Sequence, residues 1–137
     1  MKKKFLDKKL KAFNLQELLV VLVIIGILVL IALPTLMPQI AKAKSVEAKL
    51  QLNHLYGLQT DYFYIHSKYS NDFKEIDFIP PVNVSQGGTA YYSYEIIESS
   101  TGSFKGRATA VSDFDRDGIF NVWEIDQDKK LKEVTKD

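Results

Sequence analysis

The sequence predicts an α+β chain: one long N-terminal helix, apolar in its first half and amphipathic in its second, packed against a small antiparallel C-terminal sheet. Three observations predict it. Leu18 to Leu33 form an unbroken run of uncharged, apolar residues. From Gln39 to about Ser67 apolar residues recur at helical spacing. Beyond Thr89, short β-rich runs alternate with turn residues.

The apolar stretch organises the rest. At 1.5 Å per residue, Phe13 to Leu33 would span roughly 31 Å as a helix, about the hydrocarbon thickness of a bilayer. A domain of this size has no core thick enough to surround such a helix, so it belongs in lipid or among copies of itself. Its one charge is Glu17. A carboxylate near the membrane core is costly unless paired, which marks Glu17 as a functional residue. A cleaved secretory signal would carry small residues in an A-x-A-like pattern after the apolar core. Here the core ends in Leu33, Pro34, Thr35 and Leu36. A plain anchor accounts for the apolarity but not for Glu17. Gly26 allows a neighbouring helix to come close, and Pro34, followed by Pro38, is expected to kink or loosen the helix.

Charge is unevenly placed. The 137 residues carry a net +1, but residues 1–12 hold six Lys against one Asp, which leaves 12 basic and 16 acidic residues downstream. Lysines just before an apolar segment keep that end in the cytoplasm, so the C-terminal part is expected outside. Its mild acidity argues against nucleic acid as a partner. With no Cys, no disulfide holds the small exported domain together, and a metal or oligomerisation is the common substitute. No nucleophile, acid pair or phosphate loop suggests an enzyme.

In the amphipathic half, Val46, Leu50, Leu55, Leu58, Tyr62 and Ile65 recur at roughly helical spacing and are expected to face the sheet. His54 and His66 have no acid or Cys partner in the pattern and read as ordinary helix residues. Residues 67–88 are rich in turn formers, with Phe73, Ile76, Phe78 and Ile79 expected to pin the loop to the core. Thr89–Ile97 and Phe104–Val111 read as strands joined by a turn at Ser99–Ser103, with Tyr92, Tyr94 and Ile96 on one face and Tyr91, Ser93 and Glu95 on the other. Val122–Ile125 reads as a further strand, and Leu131–Val134 as a last edge strand.

Asp113, Asp115, Asp117, Gly118, Ile119, Asn121 and Glu124 fit the twelve-residue calcium-loop pattern D-x-D-x-D-G-x5-E. Alternating carboxylates surround a hard cation, Gly permits the turn, the carbonyl of Ile119 adds an oxygen, Asn121 acts through water, and Glu124 closes the shell. An EF-hand flanks this loop with helices, whereas strands flank it here. If Glu124 points away, Asp126 or Asp128 is the replacement to expect. The competing reading is a solvated acidic turn.

The N-terminus resembles that of the type IV pilin and pseudopilin superfamily. The residues that carry the resemblance are the basic leader Lys2–Lys11, the small Ala12, then Phe13, Glu17, the ELLVVLVIIGIL core and Pro34. Ala12 stands where the family usually has Gly, and Asn14 where it often has Thr. The resemblance implies a pilin fold divided into a leader (1–12), a transmembrane and filament-core helix (13–38) and an exported globular domain (39–137). It implies cleavage by a prepilin peptidase between Ala12 and Phe13, and N-methylation of Phe13. Glu17 would pair with the Phe13 amine of a neighbouring subunit, and Pro34 would serve assembly. The expected product is a structural pilus subunit, a homopolymer built by an inner-membrane assembly platform. It would be held as a single-pass protein in the bacterial inner membrane, then in a periplasmic or cell-surface filament. Calcium in the C-terminal region fits some members. The alternatives are a pseudopilin of a type II secretion system and, from another class, a monomeric membrane-anchored calcium-binding module.

Overall fold

The computed structural model describes residues 12–137, so the leader reading on residues 1–11 lies outside the described residues. One α-helix and a four-stranded sheet make up its regular structure: α1 (Leu15–His66), a short 3-10 turn (Val84–Gln86), β1 (Tyr92–Ser99), β2 (Phe104–Ala110), β3 (Val122–Asp126) and β4 (Leu131–Thr135). The strands pair β1-β2-β3-β4, each antiparallel to the next. This is the α+β arrangement of a long helix and a small antiparallel sheet. By contacts the chain divides at Thr35/Leu36 into two compact units.

In the first unit, α1 is apolar on every side and none of its apolar window is buried. A helix without a polar face has no preferred side to turn to water. It is long and apolar enough to cross a membrane. The helix runs unbroken through Pro34 and Pro38, so the expected loosening does not interrupt it. Pro34 removes one backbone donor, and next to it the Thr35 hydroxyl donates to the carbonyl of Ala32 at 2.7 Å.

In the second unit, the buried stripe of α1 is Ala41, Ser45, Ala48, Leu52, Leu55, Gln59 and Tyr62. These positions alternate by four and three, a seam that stays on one side of a 3.6-residue helix. The expected set is only partly right. Leu55 and Tyr62 are buried, but Val46, Leu50 and Ile65 are 49%, 65% and 77% exposed. The seam runs instead through Ala41, Ser45 and Ala48, because small side chains let the helix axis come closest to the sheet. Hydrophobicity alone pointed to Val46, Leu50 and Ile65, which lie one to three positions off the seam.

The sheet answers with its own small residues. Along β2, Phe104, Gly106, Ala108 and Ala110 all point to the core. A Cβ on Gly106 would lie 2.5 Å from Leu55 Cδ2 and 3.5 Å from Ile125 Cγ2. Tyr92 and Tyr94 of β1 point inward as expected, and Ile96 is half-buried. Burial of Tyr92, Leu52, Leu55, Phe104 and Ile125 contributes roughly 1.5–3 kcal/mol per large apolar side chain. On the outer face Arg107 lies opposite Glu95 on β1 and Glu124 on β3, so charges of opposite sign face one another across the strands.

Polar side chains fasten these layers. The Glu47 carboxylate on α1 accepts the Tyr91 N–H at 3.0 Å and the Tyr94 hydroxyl at 3.1 Å. Gln59, fully buried, donates to the Ser70 carbonyl at 2.7 Å and accepts the Ser70 N–H at 3.0 Å. That exchange ties down the chain leaving α1, which ends with Ser67 in the left-handed region. In the loop, Ile76 and Phe78 are buried and Phe73 packs against them, as expected, but Ile79 is 86% exposed. It immediately precedes Pro80-Pro81, whose fixed backbone carries it out of the core.

The Gly106–Leu55 contact yields a signed test. Gly106→Ala alone is expected to cost about 1–3 kcal/mol by overpacking, and Leu55→Ala about 2–5 kcal/mol by leaving a cavity. The double variant is expected to lose less than the sum, because the added methyl fills part of the space that Leu55 leaves. Chemical denaturation of the four proteins measures the coupling.

Candidate functional site

Two places gather the residues singled out by sequence. The first is the start of α1. Ala12 and Phe13 precede the helix and are exposed. Asn14 is its cap: the side-chain oxygen accepts the Glu17 N–H at 2.9 Å, and the Asn14 N–H donates to Glu17 Oε2 at 3.3 Å. Two of the four backbone donors that a helix start leaves unpaired are thereby satisfied. In the family resemblance Asn14 is only a departure from the frequent Thr. An Asn three residues before a Glu is the signal that exposes the cap.

The second place is the loop between β2 and β3. It folds around its own carboxylates. Asp113 accepts the N–H groups of Arg116 and Gly118, both at 2.6 Å. Asp115 accepts the Asp117 N–H at 3.0 Å, and Asp117 accepts the Ile119 N–H at 2.7 Å. Asp and Asn favour such turns because their short side chains reach the backbone two residues on. Arg116 and Gly118 adopt left-handed backbone, with φ of 68° and 89°. Glycine takes this conformation without a steric penalty, which accounts for the Gly of the motif. Phe114 anchors the loop from below, buried against the Tyr91 and Tyr92 rings with the Lys44 ammonium 4.5 Å from its centre.

Asp113, Asp115, Asp117 and Asp137 come together, with one oxygen of each within 4.8 Å of the others. Asp137 reaches the loop from beyond β4, and its carboxylate accepts the Phe114 and Asp115 N–H groups at 2.9 and 3.2 Å. Two other members of the sequence pattern, Glu124 and Asn121, bond elsewhere. Glu124 sits on β3, where its carboxylate takes the Arg107 guanidinium at 2.6 and 2.8 Å. Asn121 is buried, accepting the Tyr92 hydroxyl at 2.7 Å and donating to Glu133 and the Thr135 carbonyl. Ile119 presents an exposed side chain. Asp126 caps its own turn, accepting from Asp128 and Lys130, and the β3–β4 hairpin puts both Asp126 and Asp128 at the end away from the loop. Asp137 lies beyond the twelve-residue pattern, which points only to the nearer Asp126 and Asp128 and carries no signal for it. The antiparallel return of β4, with Thr135 opposite Val122, carries the following residues to the loop.

Two carboxyls are displaced in opposite directions. Although partial desolvation opposes it, the N–H groups of Gly118, Arg116 and Asp117 hold Asp113 below its ordinary value of 3.8. Desolvation and the neighbouring charges of Asp117 and Asp137 outweigh one backbone hydrogen bond and raise Asp115. Carboxylate oxygens are the donor type that a hard cation takes.

No family model matches the chain. Over 70 residues it is 41% identical to the Type IV major pilin protein PilA of Myxococcus xanthus (strain DK1622). The match takes in 51% of this chain and 32% of that protein, about a third of the relative's length. The long apolar helix at the N-terminus fits the pilin signature.

The opposed shifts of Asp113 and Asp115 give a pH test on metal-free protein. Asp113, lowered in the fold, adds stability above pH 3.8 that disappears as pH falls through its lowered value. Asp115, raised, adds stability below pH 3.8 that is lost as pH rises through its raised value. Asp115→Asn is therefore expected to raise the thermal midpoint in chelator at pH 7 and to leave it nearly unchanged at pH 3. Asp113→Asn is expected to lower it at pH 7. Thermal melts by circular dichroism at the two pH values check both signs.

Proposed function

We propose that this chain is a structural subunit of a bacterial type IV pilus, polymerised through the apolar half of α1. The observation that carries this reading is a helix exposed on all sides from Leu18 to Leu33, with one carboxylate, Glu17, at its entry. Apolar surface of that extent is stable in lipid or against identical helices, and not in water. The 41% identity to a type IV major pilin supports the same conclusion.

In this reading residues 1–12 are a leader, 13–38 the membrane and filament-core helix, and 39–137 the exported domain. A prepilin peptidase cuts between Ala12 and Phe13 and methylates the new amine. The subunit waits in the inner membrane as a single-pass protein, and an assembly platform moves it into the filament. Glu17 then pairs with the Phe13 amine of a neighbour. An unpaired charge in low dielectric is strongly disfavoured, so this pairing sets the register of an incoming subunit. The chain's role is structural rather than enzymatic.

The exported domain binds calcium in the loop between β2 and β3. The convergence of Asp113, Asp115, Asp117 and Asp137 supports this. A hard cation takes six to eight oxygens, and these four carboxylates would supply the protein's share. Bound there, it would cancel their mutual repulsion and fasten the residues after β4 to the loop, the role a disulfide has in other small exported domains.

Two experiments test the reading. Glu17→Ala is expected to leave export and cleavage intact and to abolish sheared filaments, and mass spectrometry of wild-type filaments should find an N-methylated Phe13 start. Filaments at normal yield from the variant would remove Glu17 from assembly. For calcium, the wild-type thermal midpoint is expected to fall on chelation. Asp137→Ala should lose that response, while Glu124→Ala should keep it and be equally destabilised in both conditions. Loss of the response in Glu124→Ala would return that residue to the metal shell.

A further inference from the structure

We propose that Asn14 is the positioning residue for Glu17, holding its carboxylate turned back towards the Phe13 amine. This rests on the assembly role given to Glu17 above. The Asn14 side chain and the Glu17 carboxylate each accept the other's backbone N–H, at 2.9 and 3.3 Å. Such a reciprocal pair fixes a glutamate that otherwise samples many rotamers, at an entropic cost the two hydrogen bonds offset. Among the described residues, no other group binds the Glu17 carboxylate.

Three features connect this cap with assembly rather than with the helix alone. First, Asn14 and Glu17 both lie downstream of the bond between Ala12 and Phe13, and the Asn14 nitrogen remains an amide after that bond is cut, so the pair survives cleavage. Second, three covalent bonds separate the Phe13 nitrogen from the Asn14 nitrogen, placing them within about 4 Å of each other. A carboxylate held 3.3 Å from the Asn14 nitrogen therefore stays within about 7 Å of the ammonium that cleavage creates, so the two opposite charges share one helix start while the subunit waits in lipid. Third, the cap uses Glu17 Oε2 and leaves Oε1 without a partner among the described residues. A second ammonium, from a neighbouring subunit, has an oxygen to approach without the cap being undone. Asn is also among the strongest N-cap residues, ahead of Thr.

The test compares sheared filament with the cleaved membrane pool for four chains. Asn14→Ala keeps the charge of Glu17 but removes its holder, and is expected to lower filament yield about fivefold, the population change a lost cap produces. Asn14→Ser, an equivalent cap, is expected to restore it. Glu17→Gln keeps a side chain able to complete the cap but carries no charge, and is expected to fail in assembly, which separates holding from pairing. Normal assembly of Asn14→Ala beside failure of Glu17→Gln would overturn the proposal and leave the assembly reading standing. Normal assembly of both would remove both. A failure of Asn14→Ser to rescue, or a loss of the cleaved Phe13 form in Asn14→Ala, would equally overturn it, the latter by assigning Asn14 to cleavage.

Discussion

The C-terminal unit depends on how closely α1 can lie on β2. Ala41, Ser45 and Ala48 on the helix and Gly106, Ala108 and Ala110 on the strand remove side-chain bulk from both surfaces. Leu52 and Leu55 then fill the space down to the backbone of Gly106. Close packing of this kind is sensitive to single methyl groups in either direction. It also determines which face of the helix is inside, and with it where Glu47 and Gln59 stand to hold β1 and the connecting loop.

From that seam the acidic loop is positioned in short steps. Tyr92, inward on β1, donates its hydroxyl to Asn121 and packs its ring against Phe114. Burial, with Glu47 and Glu133 nearby, raises the Tyr92 phenol and keeps it a neutral donor. Asn121 in turn holds Glu133 and the carbonyl of Thr135, which sets the end of β4 beside the loop. Asp137 closes the circuit on the N–H groups of Phe114 and Asp115. A residue that looks like a ligand in the linear pattern, Asn121, is thus the buried post on which the acidic cluster is built.

The apolar unit follows a different logic. Among the described residues its apolar side chains are exposed rather than packed into a core. What the chain supplies is local chemistry at one end: a capped helix start with Glu17 held by Asn14. Local hydrogen bonds of this type form without any tertiary support.

That difference separates what the sequence by itself determined from what only the tertiary structure decided. Length, apolarity and the isolated Glu17 defined the N-terminal helix, and period-2 alternation placed Tyr92 and Tyr94 inward, because both signals are local and repeat along the chain. The turn-forming aspartates and Gly118 were legible for the same reason. The true seam of α1, the withdrawal of Asn121 and Glu124, and the arrival of Asp137 were not. Each depends on which surfaces meet across tens of residues. A small side chain becomes the closest contact only when a strand has a matching gap, and a carboxylate 22 residues from Asp115 becomes its neighbour only when β4 pairs back along β3.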